Sequence, residues 1–217
     1  MRSMTPAEQI AQWAERLRGI SAMGLLFAKS LHDENAYRAV QTIAMEMMAL
    51  ATGEIMAKME PLRASLFSRP TPLAAGDGAV IDDQGRILLI KRADNGKWAM
   101  PGGALEVGET PAEGTVREAL EETGVRCRAL SLIGVFDSRL CGTTSPHHLY
   151  HFTFLCEPLD EGEPQKPSHG FEVLDVGWFP EDGLPEAIDQ GHVTRIPDAF
   201  RVWHGDNRAF FDGVDFN

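Results

Sequence analysis

The sequence predicts an α+β fold in which a helical N-terminal region precedes a larger domain of strands and helices. Residues 5–67 carry apolar side chains at helical spacing after a capping box at Thr5–Glu8. A proline-containing break at Ser68–Pro72 ends that pattern. Beyond the break, short runs with strand character surround one more helix, which has its own capping box at Thr110–Glu113.

The N-terminal region is expected to form two or three short helices, the first of which runs into residues 25–27. Gly19 and Gly24 are weak points in the first helix, Asp33 is a candidate cap for the second, and Gly53 is a candidate stop. This small number of helices cannot bury so much apolar surface alone. They should therefore pack on the rest of the chain or on a second copy. We place the domain boundaries at 1–69 for this extension and 70–217 for the second domain.

Composition excludes several classes of protein. The formal net charge of −12 argues against a surface that binds nucleic acid. No apolar run approaches the length of about 20 residues that a membrane span needs, and the first ten residues lack a signal-peptide core. Three cysteines without metal-ligand or redox spacing indicate reduced, structural thiols. We therefore expect a cytoplasmic protein that binds neither nucleic acid nor membrane.

The helix that follows Thr110 has a start, an end and two distinct faces. Thr110 is the expected N-cap and Gly124 the expected C-terminal stop. One apolar stripe is predicted, formed by Ala112, Val116, Ala119 and Leu120. Roughly opposite it lie three carboxylates at i, i+3 and i+4, those of Glu118, Glu121 and Glu122.

These carboxylates predict a divalent metal site. Three acids on one helix face repel one another unless a cation relieves the repulsion, and all-oxygen ligation favours Mg²⁺ or Mn²⁺. The preceding segment ends in Gly102 and Gly103, which let main chain approach a bulky charged group, and the Gly102 carbonyl is a candidate further ligand. A merely solvated acidic face would leave these glycines and Arg117 without a role.

The same stretch resembles the Nudix box of the Nudix hydrolases, G-x5-E-x7-R-E-U-x-E-E-x-G-U, with Ala119 at the first aliphatic position. The matching residues are Gly103, Glu109, Arg117, Glu118, Glu121, Glu122 and Gly124. The resemblance implies a Nudix fold, a mixed β-sheet sandwiched between α-helices. It also implies metal binding by the three helix carboxylates and a Glu109–Arg117 pair that braces the loop and helix.

The implied activity is hydrolysis of a phosphoanhydride in a nucleoside diphosphate linked to another moiety. Water attacks phosphorus in line while metal ions neutralise the diphosphate charge. Glu118 is the first candidate for the base that takes the proton, and Glu172 is the second. For Glu172 an ordinary surface glutamate is the alternative.

Two residues outside the box are candidate substrate contacts. Arg92, near the end of a predicted strand, is placed to meet phosphate, although strand-end charges are often ordinary. The histidines 147, 148 and 151 fit no standard zinc spacing. We assign one of them, His148, to the substrate in preference to metal, with no function as the alternative.

The N-terminal region resembles the extension of one Nudix subgroup, which includes CDP-choline and ADP-ribose pyrophosphatase-like enzymes. The similarity rests on Trp13-Ala14 and on Ala36-Tyr37-Arg38. It implies a homodimer and a substrate like CDP-choline or ADP-ribose. The alternatives are a house-cleaning hydrolase of modified nucleoside triphosphates and a nucleotide-binding regulator without catalysis.

Overall fold

The computed structural model describes residues 4–67, 72–143, 148–159, 164 and 172–213. Most of the predicted linker, His147 and nearly all of the predicted loop 161–170 lie outside these ranges. The chain forms two compact units, one of residues 1–71 with 106–108 and one of residues 72–105 with 109–217.

The first unit is helical throughout. Its elements are α1 (Pro6–Phe27), α2 (Leu31–Thr52), α3 (Met56–Met59) and a π-helical turn (Arg63–Phe67). The predicted capping box is present, because Thr5 Oγ1 accepts from the Glu8 N–H while the Glu8 carboxylate accepts from the Thr5 N–H. A small core joins α2, α3 and the turn, formed by Ala44, Met45, Ala49, Met59 and Phe67.

One detail of these helices, the cap of α2, differs from the sequence-based expectation. Helix α1 runs through Gly24 to Phe27, as expected, and a Cβ on Gly24 would lie 2.2 Å from the ring of Tyr37 on α2, so the glycine permits close helix packing. The cap of α2 is Ser30, whose Oγ accepts from the N–H of Asp33, so Asp33 lies inside the first turn. Gly53 ends α2 as predicted, with φ of 71°.

The second unit contains a mixed five-stranded sheet in the order β4-β1-β6-β5-β8. Strand β1 pairs parallel with β6 and antiparallel with β4, and β5 pairs antiparallel with β6 and parallel with β8. The strands are β1 (Leu73–Val80), β4 (Gly102–Ala104), β5 (Cys127–Asp137), β6 (Leu149–Pro158) and β8 (Phe210–Phe211).

A second sheet of three antiparallel strands has the order β3-β2-β7. Its strands are β2 (Arg86–Arg92), β3 (Trp98–Ala99) and β7 (Val173–Pro180). Buried apolar residues of β2, such as Ile87 and Leu89, share one core cluster with Ala79 of β1 and Leu155 of β6. The two sheets therefore pack around a common core.

Helices cover opposite faces of the five-stranded sheet. Gly76 and Gly78 of β1 face α4 (Pro111–Thr123), where a Cβ on Gly76 would lie 2.4 Å from Thr115 Oγ1. The alternate residue Ala79 shares a core cluster with α5 (Arg195–Trp203). The predicted α+β fold, a mixed sheet between helices after a helical extension, is confirmed. In the part of the chain that the structure describes, no helix is long and apolar enough to cross a membrane.

Candidate active site

Helix α4 begins and ends where its local chemistry predicts. Thr110 Oγ1 accepts from the Glu113 N–H at 3.2 Å, and the Glu113 carboxylate accepts from the Thr110 N–H at 2.8 Å. At the other end, Gly124 takes a left-handed conformation with φ of 69° and donates its N–H to the Leu120 carbonyl. These two caps fix which residues of the helix face the sheet and which face away.

The buried face of α4 differs from the predicted apolar stripe. Its buried residues are Gly114, Thr115, Ala119 and Thr123. The expectation that Leu120 lies in the stripe is wrong, since that residue is 43% exposed. Small residues replace bulky ones because β1 approaches closely through its glycines, and Thr115 Oγ1 is satisfied by the Pro111 carbonyl at 2.8 Å.

Arg117 lies at the centre of the carboxylates. Its guanidinium donates to Glu109 through Nε (3.1 Å) and Nη2 (2.9 Å), so the structure brings this implied pair together. Its Nη1 contacts Glu118 at 2.8 Å and Glu121 at 3.3 Å. Glu109 and then Glu118 raise the pKa of Arg117 above its ordinary value, so the residue stays charged and links the loop before α4 to the helix.

Glu118 and Glu122 lie against the glycine segment. A Cβ on Gly103 would lie 2.7 Å from the Glu118 carboxyl, so only glycine leaves that carboxylate its place. Glu122 Oε2 accepts from the Gly102 N–H at 2.8 Å. Glu121 is more exposed than Glu118, with 59% against 16% of the side chain accessible.

The acids of this region crowd one another. Burial, together with the negative charges of Glu118 and Glu172, raises the pKa of Glu122 to about 8. The hydrogen bond from the Gly102 N–H acts in the opposite direction. Burial also raises the pKa of Glu118, while Arg117 opposes that shift. A divalent cation would relieve this crowding, so the donor set fits Mg²⁺ or Mn²⁺. Within the described ranges, however, no three acidic, histidine or cysteine side chains are already gathered as a metal cluster.

A cavity of about 570 Å³ opens beside these carboxylates. Glu122, Gly102 and Gly103 form part of its lining, together with Glu172 and Arg92. The main chain of Glu172 is held at this edge, because its carbonyl accepts from the Ala93 N–H at 2.8 Å. The structure thus brings Glu172, the predicted second base, close to the acidic helix.

The two predicted substrate contacts differ in position. Arg92 lines the cavity, where its guanidinium makes a two-pronged contact with Asp94 at 3.0 and 2.7 Å. The lining residues do not include His148, whose Nε2 lies 3.1 Å from Asp137 Oδ2. His151, three residues further along the chain on β6, lines the cavity instead. A substrate role for His148 therefore has no support from its position.

Sequence reasoning missed a buried polar cluster at the cavity. Asp77, on β1, pairs with Arg195 at the start of α5 and with His151 Nδ1 on β6. Burial favours the neutral acid, but Arg195 and His151 outweigh burial and hold the pKa of Asp77 well below its usual range. The signal available in the sequence was a lone charged residue within the small, apolar run of β1.

His192 ties this cluster to the glycine segment. Its Nδ1 accepts from the Met100 N–H at 3.3 Å, which places the ring proton of the neutral form on Nε2. Burial and then the charge of Arg195 lower the pKa of His192 well below its ordinary value, so the ring is neutral near pH 7. Both Asp77 and His192 line the cavity.

Comparison with known proteins identifies two matching regions. The NUDIX domain matches residues 72–198, and a domain described as UDP-X-like, N-terminal oligomerisation domain matches residues 8–62. A Bacillus subtilis protein whose name proposes ADP-ribose pyrophosphatase activity is 31% identical over 205 residues, which cover 92% of this chain and 95% of that protein.

Two further proteins that are similar to this chain also carry pyrophosphatase or diphosphatase names. The ADP-ribose pyrophosphatase of Methanocaldococcus jannaschii is 49% identical over 139 residues, covering 62% of this chain and 76% of that protein. The crystal structure of a UDP-X diphosphatase is similar with a TM-score of 0.57 at 26% identity, covering 94% of this chain and 98% of that one. The chain therefore belongs to the Nudix hydrolase family and is a Nudix-type pyrophosphohydrolase, with an N-terminal domain like that of the UDP-X subgroup.

Proposed function

We propose that the enzyme hydrolyses the pyrophosphate bond of a nucleoside diphosphate linked to a second moiety. The products are a nucleoside monophosphate and the phosphorylated second moiety. The observation that carries this proposal is the acidic face of α4 beside the cavity, where Glu122 and Glu172 share the lining with Arg92. ADP-ribose is the leading substrate because two relatives carry names that refer to it, and CDP-choline follows from the subgroup resemblance.

We propose Glu118, Glu121, Glu122 and the Gly102 carbonyl as the residues that hold Mg²⁺ or Mn²⁺. When bound, such ions neutralise diphosphate charge and make water more acidic. Arg117 orients the carboxylates through its contacts with Glu109, Glu118 and Glu121. Arg92 lies where it can contact phosphate if it exchanges Asp94 for the ligand.

The proton of the attacking water needs an acceptor, and two carboxylates are candidates. Glu118 lies at 2.8 Å from Arg117 Nη1, which fixes its position beside Gly103. Glu172 lines the cavity, and its carboxylate makes no hydrogen bond within the described residues. Glu172→Gln separates them, because Glu172 is not among the proposed metal ligands and loss of the base lowers kcat far more than it changes KM. Wild-type kcat in that variant would leave Glu118 as the base.

A hydrolysis panel tests the proposed function. The wild-type enzyme is incubated with Mg²⁺ or Mn²⁺ and with ADP-ribose, CDP-choline, nucleotide sugars, NADH or oxidised nucleoside triphosphates. Release of a monophosphate from one diphosphate compound, at a kcat/KM well above the others, is the expected result. Selective release of pyrophosphate from a triphosphate would instead show a house-cleaning hydrolase. Binding without turnover would show a nucleotide-binding regulator.

We also propose that the helical extension, residues 1–69, joins two copies of the chain into a homodimer. Large apolar side chains one heptad apart are exposed on its long helices: Trp13 (49%) and Ile20 (56%) on α1, and Ile43 (48%) and Leu50 (71%) on α2. Exposed apolar side chains that gather on one surface can mark a protein–protein interface. The matching domain is described as an oligomerisation domain, which supports this role. A cytoplasmic location stays part of the proposal, because the three cysteines are free and buried.

A further inference from the structure

The cavity has a second set of polar side chains that the proposed hydrolysis does not use. Asp77, His151 and His192 all line it and are 5%, 7% and 4% exposed. They lie on β1, on β6 and before α5, so the tertiary fold brings them together. Buried polar groups at a cavity fix the orientation of a ligand in many binding sites.

The ring of His151 is held in one orientation. An ionised carboxylate only accepts hydrogen bonds, so the contact of 3.1 Å between His151 Nδ1 and Asp77 Oδ2 has the histidine as donor. Asp77 is itself fixed by Arg195, whose Nε donates to the Gly191 carbonyl at 2.7 Å. Because Nδ1 is committed to Asp77, only Nε2 of His151 is left for another partner.

That second nitrogen is buried and has no hydrogen-bond partner in the part of the chain that the structure describes. The same holds for Thr153 Oγ1, two residues further along the same face of β6 and opposite Asp77 in the strand register. The large majority of buried polar side-chain atoms are paired in folded proteins, so two unpaired neighbours indicate a ligand or water site. His151 also lines the cavity, so a ligand bound there lies beside this ring.

The chemistry of His151 Nε2 favours a hydroxyl group as the ligand partner. Neutral imidazole accepts at Nε2 and the protonated ring donates there, and a hydroxyl serves as partner in either case. Besides its charged groups, the lining includes aliphatic side chains, among them Leu73, Ile90 and Leu149. Of the described residues that line the cavity, none offers the phenyl, phenol or indole ring that stacks on a base or encloses a quaternary ammonium. A sugar ring with hydroxyl groups fits this lining.

We propose that His151 is a specificity-determining residue that hydrogen-bonds a sugar hydroxyl of the substrate. The proposal rests on the proposed function, because it assigns a ligand group to the same cavity. In a compound such as ADP-ribose, the hydroxyl comes from the terminal ribose or from the ribose of the nucleoside. The chemistry at Nε2 is the same for both sources, and the experiment separates them.

The test compares His151→Phe with wild type on three substrates in Mg²⁺. The first is ADP-ribose. The second is the tetrahydrofurfuryl ester of ADP, which lacks the hydroxyls of the terminal ribose. The third is ADP-ribose in which 2′,3′-dideoxyadenosine replaces adenosine, so that the ribose of the nucleoside lacks its hydroxyls. His204→Phe is the matched control, because His204 also contacts a carboxylate, that of Glu181 at 2.8 Å, and is exposed. His151→Gln restores a polar group near Nε2 and should recover part of any loss.

For ADP-ribose we expect His151→Phe to lower kcat/KM about 10- to 100-fold, mainly through KM, because the hydroxyl contact is made equally in the bound and transition states. The compound that lacks the relevant hydroxyls should change by less than about threefold, and that compound identifies the source. Equal losses on all three substrates would show that His151 only supports the fold or holds a water, and no loss would also overturn the proposal.

A binding experiment separates this proposal from the proposed function. Wild type that hydrolyses none of the three compounds, and none of the wider substrate panel, would overturn the proposed function. Calorimetric titration with α,β-methylene ADP-ribose, which cannot be hydrolysed at the bridge, then tests His151 by itself. We expect a Kd about 10- to 100-fold weaker in His151→Phe and unchanged in His204→Phe. Equal Kd values in wild type and His151→Phe would contradict the assignment.

Discussion

Replacing Arg117 with lysine tests how far the acidic face depends on one guanidinium. Arg117 makes two contacts with Glu109 and one each with Glu118 and Glu121. A lysine ammonium is a point charge and cannot reproduce this fork. The Arg117 side chain is 27% exposed, so solvent weakens its contacts with the carboxylates. We therefore expect Arg117→Lys to cost about 1–2 kcal/mol of unfolding free energy.

The effect on catalysis should exceed the effect on stability. Displacement of a positioning group by about 1 Å can cost about 100-fold in rate, so we expect kcat/KM for the best substrate to fall by roughly that factor. The melting temperature should fall by about 2–8 °C. Steady-state kinetics in saturating Mg²⁺ and calorimetric melting measure both quantities on the same preparation.

A matched control is available on the surface. Arg208 makes the same two-pronged contact with Asp206, at 2.9 and 2.6 Å, but its side chain is 87% exposed. Arg208→Lys should therefore leave kcat/KM within about twofold and the melting temperature within about 1 °C. Near wild-type kcat/KM in Arg117→Lys would refute the reasoning that this guanidinium aligns the carboxylates.

Three further predictions follow from the same contacts. Glu121→Gln should lower kcat by orders of magnitude while the melting temperature stays within about 2 °C, because the side chain is 59% exposed; turnover near that of wild type would remove its metal role. The pKa of Glu122 is about 8 in the folded protein, above its unfolded value, so the fold favours the protonated carboxyl. When a chelator has removed metal ions, the stability that this protonated form provides is complete below about pH 4.5 and is lost as the pH rises to about 8. Urea unfolding should show a fall of up to a few kcal/mol over that window, smaller in Glu122→Gln or with Mg²⁺, and a flat profile in wild type would contradict the shift. Ile43→Glu with Leu50→Glu should convert a dimer to a monomer in sedimentation experiments, whereas Leu130→Glu, 50% exposed on β5, should not; an unchanged mass in the double variant would argue against the proposed interface.

Local chemistry was sufficient to predict the limits of α4, but not its buried face. The capping box at Thr110 and the left-handed Gly124 act within a few residues of chain, so their effect is visible in sequence. Thr115 reads as a surface residue, yet its hydroxyl bonds to the helix itself and so can be buried. Leu120 reads as core, but the glycines of β1 leave space only for small side chains.

The buried polar cluster shows why the second part of the cavity could not be derived. Asp77 meets His151 at a separation of 74 residues and Arg195 at a separation of 118. These contacts depend on the parallel register of β1 with β6 and on where α5 begins, which no local pattern specifies. The Nudix box, by contrast, lies within 23 consecutive residues, Gly103 to Val125, and could be recognised from spacing.

The most direct test of the account is the product analysis of ADP-ribose treated with wild-type enzyme and Mg²⁺. Hydrolysis at the pyrophosphate bond predicts AMP and ribose 5-phosphate in equal amounts, with no product when a chelator removes the metal. Chromatography with phosphate analysis resolves both compounds in one reaction. Intact ADP-ribose and CDP-choline after prolonged incubation, in enzyme shown by calorimetry to bind Mg²⁺, would contradict the claim that this cavity hydrolyses nucleoside diphosphate derivatives.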